Sequence, residues 1–190
     1  MRTMSTDSTF GTLKAVPALD RTDLLAPPVT AAIREWEHPG IPAGEFQVAE
    51  IDPELADTAA FCAAYDVALD ASANCVIIAG KRGGETRYAA CMVLATTRAD
   101  VNGVVRRRLD ARKASFAPMD DAVERTGMEY GGITAFGLPA DWPVLVDRRV
   151  AESAGVIVGS GLRRSKLLVP GRALTELPGA EVLDDLGLST

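Results

Sequence analysis

A glycine-rich stretch from Gly127 to Pro139 holds the residue types that best fit a chemical role. Its sequence, GMEYGGITAFGLP, contains four glycines, two aromatic residues and one acid. Because glycine lets the backbone turn with positive φ and approach a ligand closely, successive amides in such a loop can donate hydrogen bonds to a developing oxyanion. The alternative is a helix stop followed by a tight turn, in which the glycines serve only local geometry.

Other reactive residue types limit the chemistry open to the chain. The single histidine, His38, is predicted at a solvent-facing helix end, and one histidine cannot support a multi-histidine zinc site. No base is visible near Ser160, so its hydroxyl is expected to hydrogen-bond within a turn rather than attack a substrate. We expect no metal and no cofactor. The cysteines lack CxxC spacing and are predicted to be buried thiols: Cys62, Cys75 and Cys91.

The composition, with 47% hydrophobic and 24% charged residues, is typical of a soluble globular protein. A formal net charge of −6 argues against a protein that coats nucleic acid, and we expect no DNA partner. Basic residues nevertheless cluster at Arg106–Arg108, Arg148–Arg149 and Arg163–Lys166, which fits either a small RNA contact or solvated surface. No run approaches the roughly 18 apolar residues of a membrane span, so we expect no membrane partner and a cytoplasmic location.

The order of local signals predicts one domain over residues 27–190, after a flexible polar tail over residues 1–26. Two apolar strands joined by Gly83-Gly84 predict a hairpin, and three further strands follow the glycine-rich stretch. We therefore expect an α+β fold with a mixed, largely antiparallel, barrel-like sheet and flanking helices. Helices are predicted over residues 29–38, from Asp52 to about Tyr65, after a capping Asp100, and from a capping box at Asp121 and Glu124 to Gly127.

Two segments, EYGGITAFGLPADWPVLVD and GVIVGSGLRRSKLLVP, resemble in their order and spacing the YbaK/ProRS-associated editing domain family of aminoacyl-tRNA deacylases. The resemblance extends over roughly residues 45 to 185. It implies the mixed, barrel-like fold that the element order also predicts. It further implies a free-standing protein that hydrolyses the ester joining a wrong amino acid to the 3′ end of a tRNA, with the tRNA acceptor end as its partner.

The resemblance also assigns a substrate pocket. In the family, the first loop is implied to bind the amino-acid end of the substrate, with help from the terminal ribose hydroxyl, while a second loop faces the same pocket. The first loop maps onto Gly131, Gly132, Ile133, Thr134 and Ala135, and the second onto Gly159, Ser160 and Gly161.

Two positions depart from the family pattern. The hallmark lysine at the start of a strand corresponds to Asn74, and the proline that commonly ends the first loop corresponds to Ala135. An amide carries no charge, and hydrogen bonds from charged donors are about twice as strong as neutral ones. Among the lysines, Lys166 is the best placed to substitute. Asp147 and Arg163 are further substrate-binding candidates, although Asp147 could instead cap a turn after its strand.

Two functions remain open from the sequence. The first is a free-standing aminoacyl-tRNA deacylase of a type that lacks the family lysine, and the intact glycine loops and basic stretches favour it. The second is a catalytically impaired module of the same fold that binds a tRNA end or a small ligand. Asn74 and Ala135 favour this alternative. We favour the deacylase.

Overall fold

Eleven β-strands and six α-helices are found in residues 10–190, the part of the chain that the computed structural model describes. Short 3₁₀ turns connect several of them. The strands are β1 Ala15–Pro17, β2 Gln47–Glu50, β3 Ala73–Arg82, β4 Glu85–Leu94, β5 Thr97–Ala99, β6 Lys113–Phe116, β7 Val144–Asp147, β8 Val156–Gly159, β9 Ser165–Val169, β10 Ala180–Leu183 and β11 Gly187–Ser189. The helices are α1 Pro27–Arg34, α2 Thr58–Tyr65, α3 Arg106–Arg108, α4 Met119–Thr126, α5 Arg148–Ala151 and α6 Gly171–Thr175.

Two large sheets carry the fold, with strand orders β1-β2-β9-β8 and β10-β7-β4-β3-β6, while β11 pairs with β5. All pairings are antiparallel except those of β7, which runs parallel to β4 and β10. A bridge between Ser72 and Ile157 links the large sheets. The predicted fold class is confirmed. The two large sheets stay open at their edge strands and approach a barrel without closing.

The predicted hairpin of β3 and β4 forms the centre of the five-stranded sheet. Its turn residues, Gly83 and Gly84, have φ values of 56° and 84°, which the tight turns of two-residue hairpins require. Successive residues of β3 face opposite sides of the sheet, so Ile77 joins one apolar cluster and Ile78 another. Both faces of the sheet are therefore covered along the middle of β3.

An aromatic cluster anchors the glycine-rich stretch to the core. Phe136 lies in that stretch and is fully buried, with its ring centroid 5.5 Å from that of Phe46 in an edge-on arrangement. Trp36 packs edge-on against Phe46 at 5.0 Å and donates its indole hydrogen to the Ile41 carbonyl at 2.7 Å. Burial of these rings holds the end of the glycine-rich stretch against the first helix.

Residues 10–26, which the sequence predicts to be part of a flexible tail, are folded into the domain. β1 extends the four-stranded sheet by pairing with β2. Leu24, Leu25 and Ala26 are buried, and the Ala26 amide donates to the Ser160 carbonyl at 3.1 Å. The isolated apolar residues of this segment show no periodicity, and only their tertiary contacts reveal them as core. Residues 1–9 of the predicted tail lie outside the described residues.

Several predicted helix boundaries are wrong. α1 ends at Arg34, so His38 lies in the irregular segment after it and not at a helix end. Asp52 caps only a 3₁₀ turn, and α2 begins after Asp57, whose carboxylate accepts hydrogen bonds from two amides of its first turn. α4 begins directly after Pro118, so the capping box at Asp121 does not form. In this last case the extended backbone of the proline, with φ of −53°, sets the helix start.

Other local predictions are confirmed. Gly127 ends α4 in the left-handed region, with φ of 68°. The carboxylate of Asp100 accepts hydrogen bonds from the Gly103 and Val104 amides at 3.0 and 3.1 Å, although the turn that it caps is π-helical before α3 begins. Every helix within residues 10–190 is too short or too polar to cross a bilayer.

Asp147 ties together the end of β7, the start of α5 and the strand β11. Its carboxylate is almost fully buried and accepts hydrogen bonds from the amides of Arg149 and Gly187 and from the Arg149 guanidinium, at 2.8–3.2 Å. Burial opposes ionisation, but these hydrogen bonds outweigh it and hold the pKa of Asp147 below its ordinary value. These contacts are those of a cap after the strand, which is the alternative role predicted for Asp147.

We expect Asp147→Ala to lower the free energy of unfolding by about 2–4 kcal/mol near neutral pH, combining ~1 kcal/mol for the helix cap with ~1.5–3 kcal/mol for a hydrogen bond to a charged group. Because the folded-state pKa is lowered, this contribution is complete above the ordinary aspartate pKa and is lost as pH falls through the folded-state value. Chemical denaturation at several pH values measures it. Asp184→Ala, which removes an exposed partner of Arg148, is the matched control and should change stability little. An equal loss of stability in the two variants would contradict the stabilising role of the buried Asp147 carboxylate.

Candidate functional site

A cavity of about 380 Å³ lies between the start of β3, the N-terminus of α2, the first glycine loop and the end of β8. It brings together Asn74, Gly131, Ile133, Gly159 and Lys166, which are distant in sequence. The rest of its wall is contributed by Ala56, Asp57, Thr58, Ala73, Cys75, Val76, Ile77, Phe116, Ala117, Ala122 and Tyr130.

Lys166 is a buried cation on the wall of this cavity. It is 7% exposed, and its Nζ donates to the Ala56 carbonyl at 3.1 Å and lies 5.0 Å from the centroid of the Phe61 ring. No ion pair in the described part of the chain includes it. An ammonium group has three donors, so two remain for a ligand. Lysine is almost never buried without a charged partner, and this one therefore marks a candidate functional group.

The environment of Lys166 lowers its pKa below the ordinary value. Burial is the main cause, because it disfavours the charged form, and the nearby Arg163 acts in the same direction. Cys62 and Asp57 oppose the shift without cancelling it. A lysine of this kind is sensitive to any negative charge that develops in the cavity.

Asn74 lies on the same wall, near the start of β3. Its Oδ1 accepts a hydrogen bond of 2.6 Å from the Thr58 hydroxyl, which fixes the orientation of the amide group. The amide nitrogen is then the group that can donate to a ligand. The position that the family resemblance gives to a lysine is thus neutral, while Lys166 supplies a charge to the same cavity.

The first glycine loop contributes two residues to the wall of the cavity. Gly131 and Ile133 both line it, and their amides have no hydrogen-bond partner among the described residues. The Gly132 amide is already bonded to the Glu129 carbonyl at 2.9 Å, and the Thr134 amide lies 3.4 Å from the Met128 sulfur. Two alternate amides of the loop are therefore available to bind a carbonyl oxygen or an oxyanion.

The two glycine loops are in direct backbone contact. The Gly161 amide donates to the Gly132 carbonyl at 2.7 Å. A Cβ on Gly132 would lie 2.6 Å from the Leu162 backbone, and a Cβ on Gly159 would collide with the Gly132 and Ile133 carbonyl oxygens. Only glycine permits this approach, so these residues set the distance between the loop amides and Lys166 on the neighbouring strand.

Ser160 is committed to a buried hydrogen-bond chain. Its Oγ lies 2.7 Å from the Oγ of Ser165, which donates to the Leu24 carbonyl at 2.6 Å. Because each hydroxyl has one hydrogen, Ser160 donates to Ser165, and it accepts from the Leu162 amide at 3.2 Å. Ser160 does not line the cavity, and its contacts are those of a turn residue.

Arg163 lies beside the first loop and outside the cavity wall. Its guanidinium donates to the carbonyls of Tyr130 and Pro53 at 3.2 and 3.1 Å, and its amide donates to the Glu129 carboxylate at 2.8 Å. Asp147 is bonded within the α5 region described above and does not border the cavity. These two predicted site residues and Ser160 make structural contacts around the site.

Thr134 and Ala135 point the end of the first loop away from the cavity. Thr134 is fully buried, and no described residue hydrogen-bonds its hydroxyl. Ala135 instead lines a separate cavity of about 520 Å³, together with His38 and Trp36. His38 is half-buried there, with its Nε2 3.4 Å from the Glu176 carboxylate.

Several cavity residues could not be predicted from the sequence. Thr58 reaches it because the start of α2 lies beside β3, where its hydroxyl bonds Asn74. Burial, with a smaller effect from Cys91, raises the pKa of the Cys75 thiol, which disfavours its nucleophilic thiolate form. Tyr130 directly precedes the loop in sequence, and an aromatic residue next to a glycine pair is the signal that could have identified it.

The described residues of this region do not form a metal-binding site. Across residues 10–190, no group of three or more His, Cys, Asp or Glu side chains is placed to hold a metal ion. The arginines of α3 lie outside the cavity wall, and Arg108 forms an ion pair of 2.7 Å with Glu181. The cavity therefore combines a buried cation, two available amides and an oriented side-chain amide.

Solved structures share this fold at low sequence identity. A protein described as a candidate trans-editing enzyme for prolyl-tRNA synthetase matches with a TM-score of 0.69 and 20% identity, covering 86% of this chain and 97% of that chain. A scaffold protein used for computational epitope grafting matches with the same values. The hypothetical protein APE2540 matches with a TM-score of 0.64 and 22% identity, covering 75% and 91% of the two chains. At these identities the likeness shows the fold alone.

Sequence comparison identifies the family. No curated protein matches the chain. A family model described as the aminoacyl-tRNA editing domain matches residues 52–177, which include α2, both glycine loops, Asn74 and Lys166. Because this match covers well over half of the chain, the protein belongs to the aminoacyl-tRNA editing domain family.

Proposed function

We propose that the protein is a free-standing aminoacyl-tRNA deacylase in which Lys166 supplies the charge that the family resemblance assigns to the position of Asn74. The observation that carries the proposal is a buried lysine that forms no ion pair within the described residues and lines the same cavity as Asn74, Gly131 and Ile133. A buried ammonium costs folding free energy, and a role in binding a negatively charged species accounts for its retention.

The reaction is hydrolysis of an ester that is already activated. Water attacks the carbonyl carbon, the carbonyl oxygen becomes an oxyanion, and the bond to the terminal ribose oxygen breaks as that oxygen takes up a proton. The products are the free amino acid and the uncharged tRNA. Stabilisation of the oxyanion is the main requirement, and preorganised donors in a site shielded from water are well suited to it.

The described residues supply donors for that oxyanion. The amides of Gly131 and Ile133 are unoccupied, and Lys166 retains two donors after its bond to Ala56. Asn74, oriented by Thr58, can donate to the ester or to the ribose end of the substrate. No nucleophilic side chain is required, which agrees with the buried hydrogen bonds of Ser160 and the raised pKa of Cys75.

A free-standing enzyme is supported by similarity. The structural neighbour described as a candidate trans-editing enzyme is covered over 97% of its length by this chain. The cavity of about 380 Å³ suits an aminoacyl group joined to a ribose, with the rest of the tRNA outside. The substrate class that we propose is therefore a tRNA carrying a small, wrongly attached amino acid.

Lys166→Met should lower kcat for deacylation about 100-fold or more, because removal of one oxyanion donor typically costs ~10²–10³ in rate. Hydrolysis is followed with alanyl-, cysteinyl-, seryl- and prolyl-tRNA. Lys81→Met, at the far end of β3, is the matched control and should leave the rate unchanged. If the wild-type protein hydrolyses none of these substrates, the deacylase proposal fails and the binding-module alternative stands.

The pH profile should identify Lys166 as the titrating group. Because its folded-state pKa is lowered, the wild-type rate, corrected for spontaneous hydrolysis, should fall as pH rises through a value below the ordinary lysine pKa. Lys166→Arg keeps its charge and should not show this fall, whatever its absolute rate. The amino group of the substrate titrates equally with both enzymes. Identical pH profiles for the wild type and Lys166→Arg would exclude Lys166 as the group whose titration lowers the rate.

Moving the charge tests whether Asn74 and Lys166 serve the same substrate atoms. We expect the double variant Lys166→Met with Asn74→Lys to be at least 10-fold faster than Lys166→Met alone, because both side chains line one cavity. Single-turnover deacylation by the double variant is the measurement, and Asn74→Met in the same background is the control. A double variant no faster than Lys166→Met would show that the two positions are not interchangeable.

A further inference from the structure

Two aromatic side chains are exposed at the mouth of the candidate cavity. Phe116 is 66% exposed and Tyr130 is 55% exposed, and both contribute to the cavity wall. Of the eight large hydrophobic residues exposed within residues 10–190, four lie in the short span from Phe116 to Tyr130. Such a concentration beside a cavity is typical of a binding surface rather than of scattered surface residues.

The backbone fixes both aromatic residues in place. Phe116 ends β6 and pairs with Ile78 of the central hairpin. The next residue, Ala117, donates its amide to the Ile77 carbonyl at 2.8 Å. On the other side of the mouth, the Tyr130 carbonyl accepts a hydrogen bond from Arg163. The backbone that carries both rings is therefore ordered before a ligand binds, so only the side chains remain to be ordered.

The chemistry of the proposed substrate predicts what meets these rings. This step rests on the proposed function: if the aminoacyl ester enters the cavity, the ribose and base directly attached to it must lie at the mouth. The 3′ end of a tRNA is single-stranded, and unpaired bases bind proteins by stacking on aromatic side chains. The geometry points to Phe116 and Tyr130 as a stacking platform for the unpaired bases at the 3′ end of the tRNA.

Charge at the mouth agrees with an RNA ligand. Arg163 lies beside Gly131 and is held by two backbone carbonyls rather than by a carboxylate side chain on its guanidinium. Its positive charge is therefore available to a phosphate group next to the stacked bases. Together the cavity would select the amino acid, and the aromatic platform would bind any tRNA end regardless of the amino acid that it carries.

The test uses an acceptor-stem RNA hairpin that is not aminoacylated and has 2-aminopurine as its 3′-terminal base. Stacking quenches the fluorescence of this base, and we expect quenching when the wild-type protein binds. Phe116→Ala and Tyr130→Ala should each weaken binding roughly 5- to 150-fold and reduce the quenching. Phe116→Trp and Tyr130→Phe keep an aromatic ring and should retain both. Leu188→Ala, an exposed apolar residue on β11, is the control and should have no effect.

A hairpin with an abasic 3′-terminal nucleotide gives the decisive comparison. It should bind the wild-type protein more weakly, and Phe116→Ala should weaken it little further. If the alanine variants weaken the abasic hairpin as much as the intact one, or if no quenching occurs, the platform is overturned and a protein-docking role for the exposed rings is favoured. Quenching without deacylation would contradict only the proposed function, whereas deacylation without quenching would contradict only the platform.

Discussion

Backbone contact between the two glycine loops is the constraint on which the site depends. The hydrogen bond from the Gly161 amide to the Gly132 carbonyl holds the loops together. At Gly159 a Cβ would collide with the backbone of the first loop, so only glycine fits there. Since Gly159 pairs with Lys166 across β8 and β9, the same contact sets the position of the lysine relative to the first loop. A larger residue at either loop would separate the donors that the cavity combines.

The buried lysine gives this arrangement its chemistry. An ammonium group that bonds a carbonyl and lies over the face of Phe61 is partly stabilised by the peptide dipole and the ring quadrupole, and its pKa is nevertheless lowered by burial. Such a group interacts more strongly with a developing oxyanion than with a neutral ester, which is the condition for catalysis. Asn74 lines the same cavity and is neutral, so it adds no further cation to the one on Lys166.

Local patterns predicted most of the strands because alternation, glycine turns and apolar runs are short-range signals, but they did not predict the short strands β1, β5, β10 and β11. The hairpin of β3 and β4 and the helix stop at Gly127 follow from such signals. The placement of Lys166 in the cavity depends on strand register and on the packing of α2, which no sequence window contains. The burial of Leu24 near the N-terminus likewise depends on contacts with distant residues, including its carbonyl bond to Ser165.

The central claim is that Lys166 contacts the reacting end of an aminoacyl-tRNA. The chain has only four lysines, so their side-chain ¹³Cε signals can be resolved and assigned by substitution. The most direct measurement is the change in these signals when a stable amide analogue of a 3′-aminoacyl adenosine is added. We predict that the Lys166 signal shifts and its pKa changes while those of Lys81 and Lys113 do not. An unchanged Lys166 signal at saturating analogue would contradict the claim.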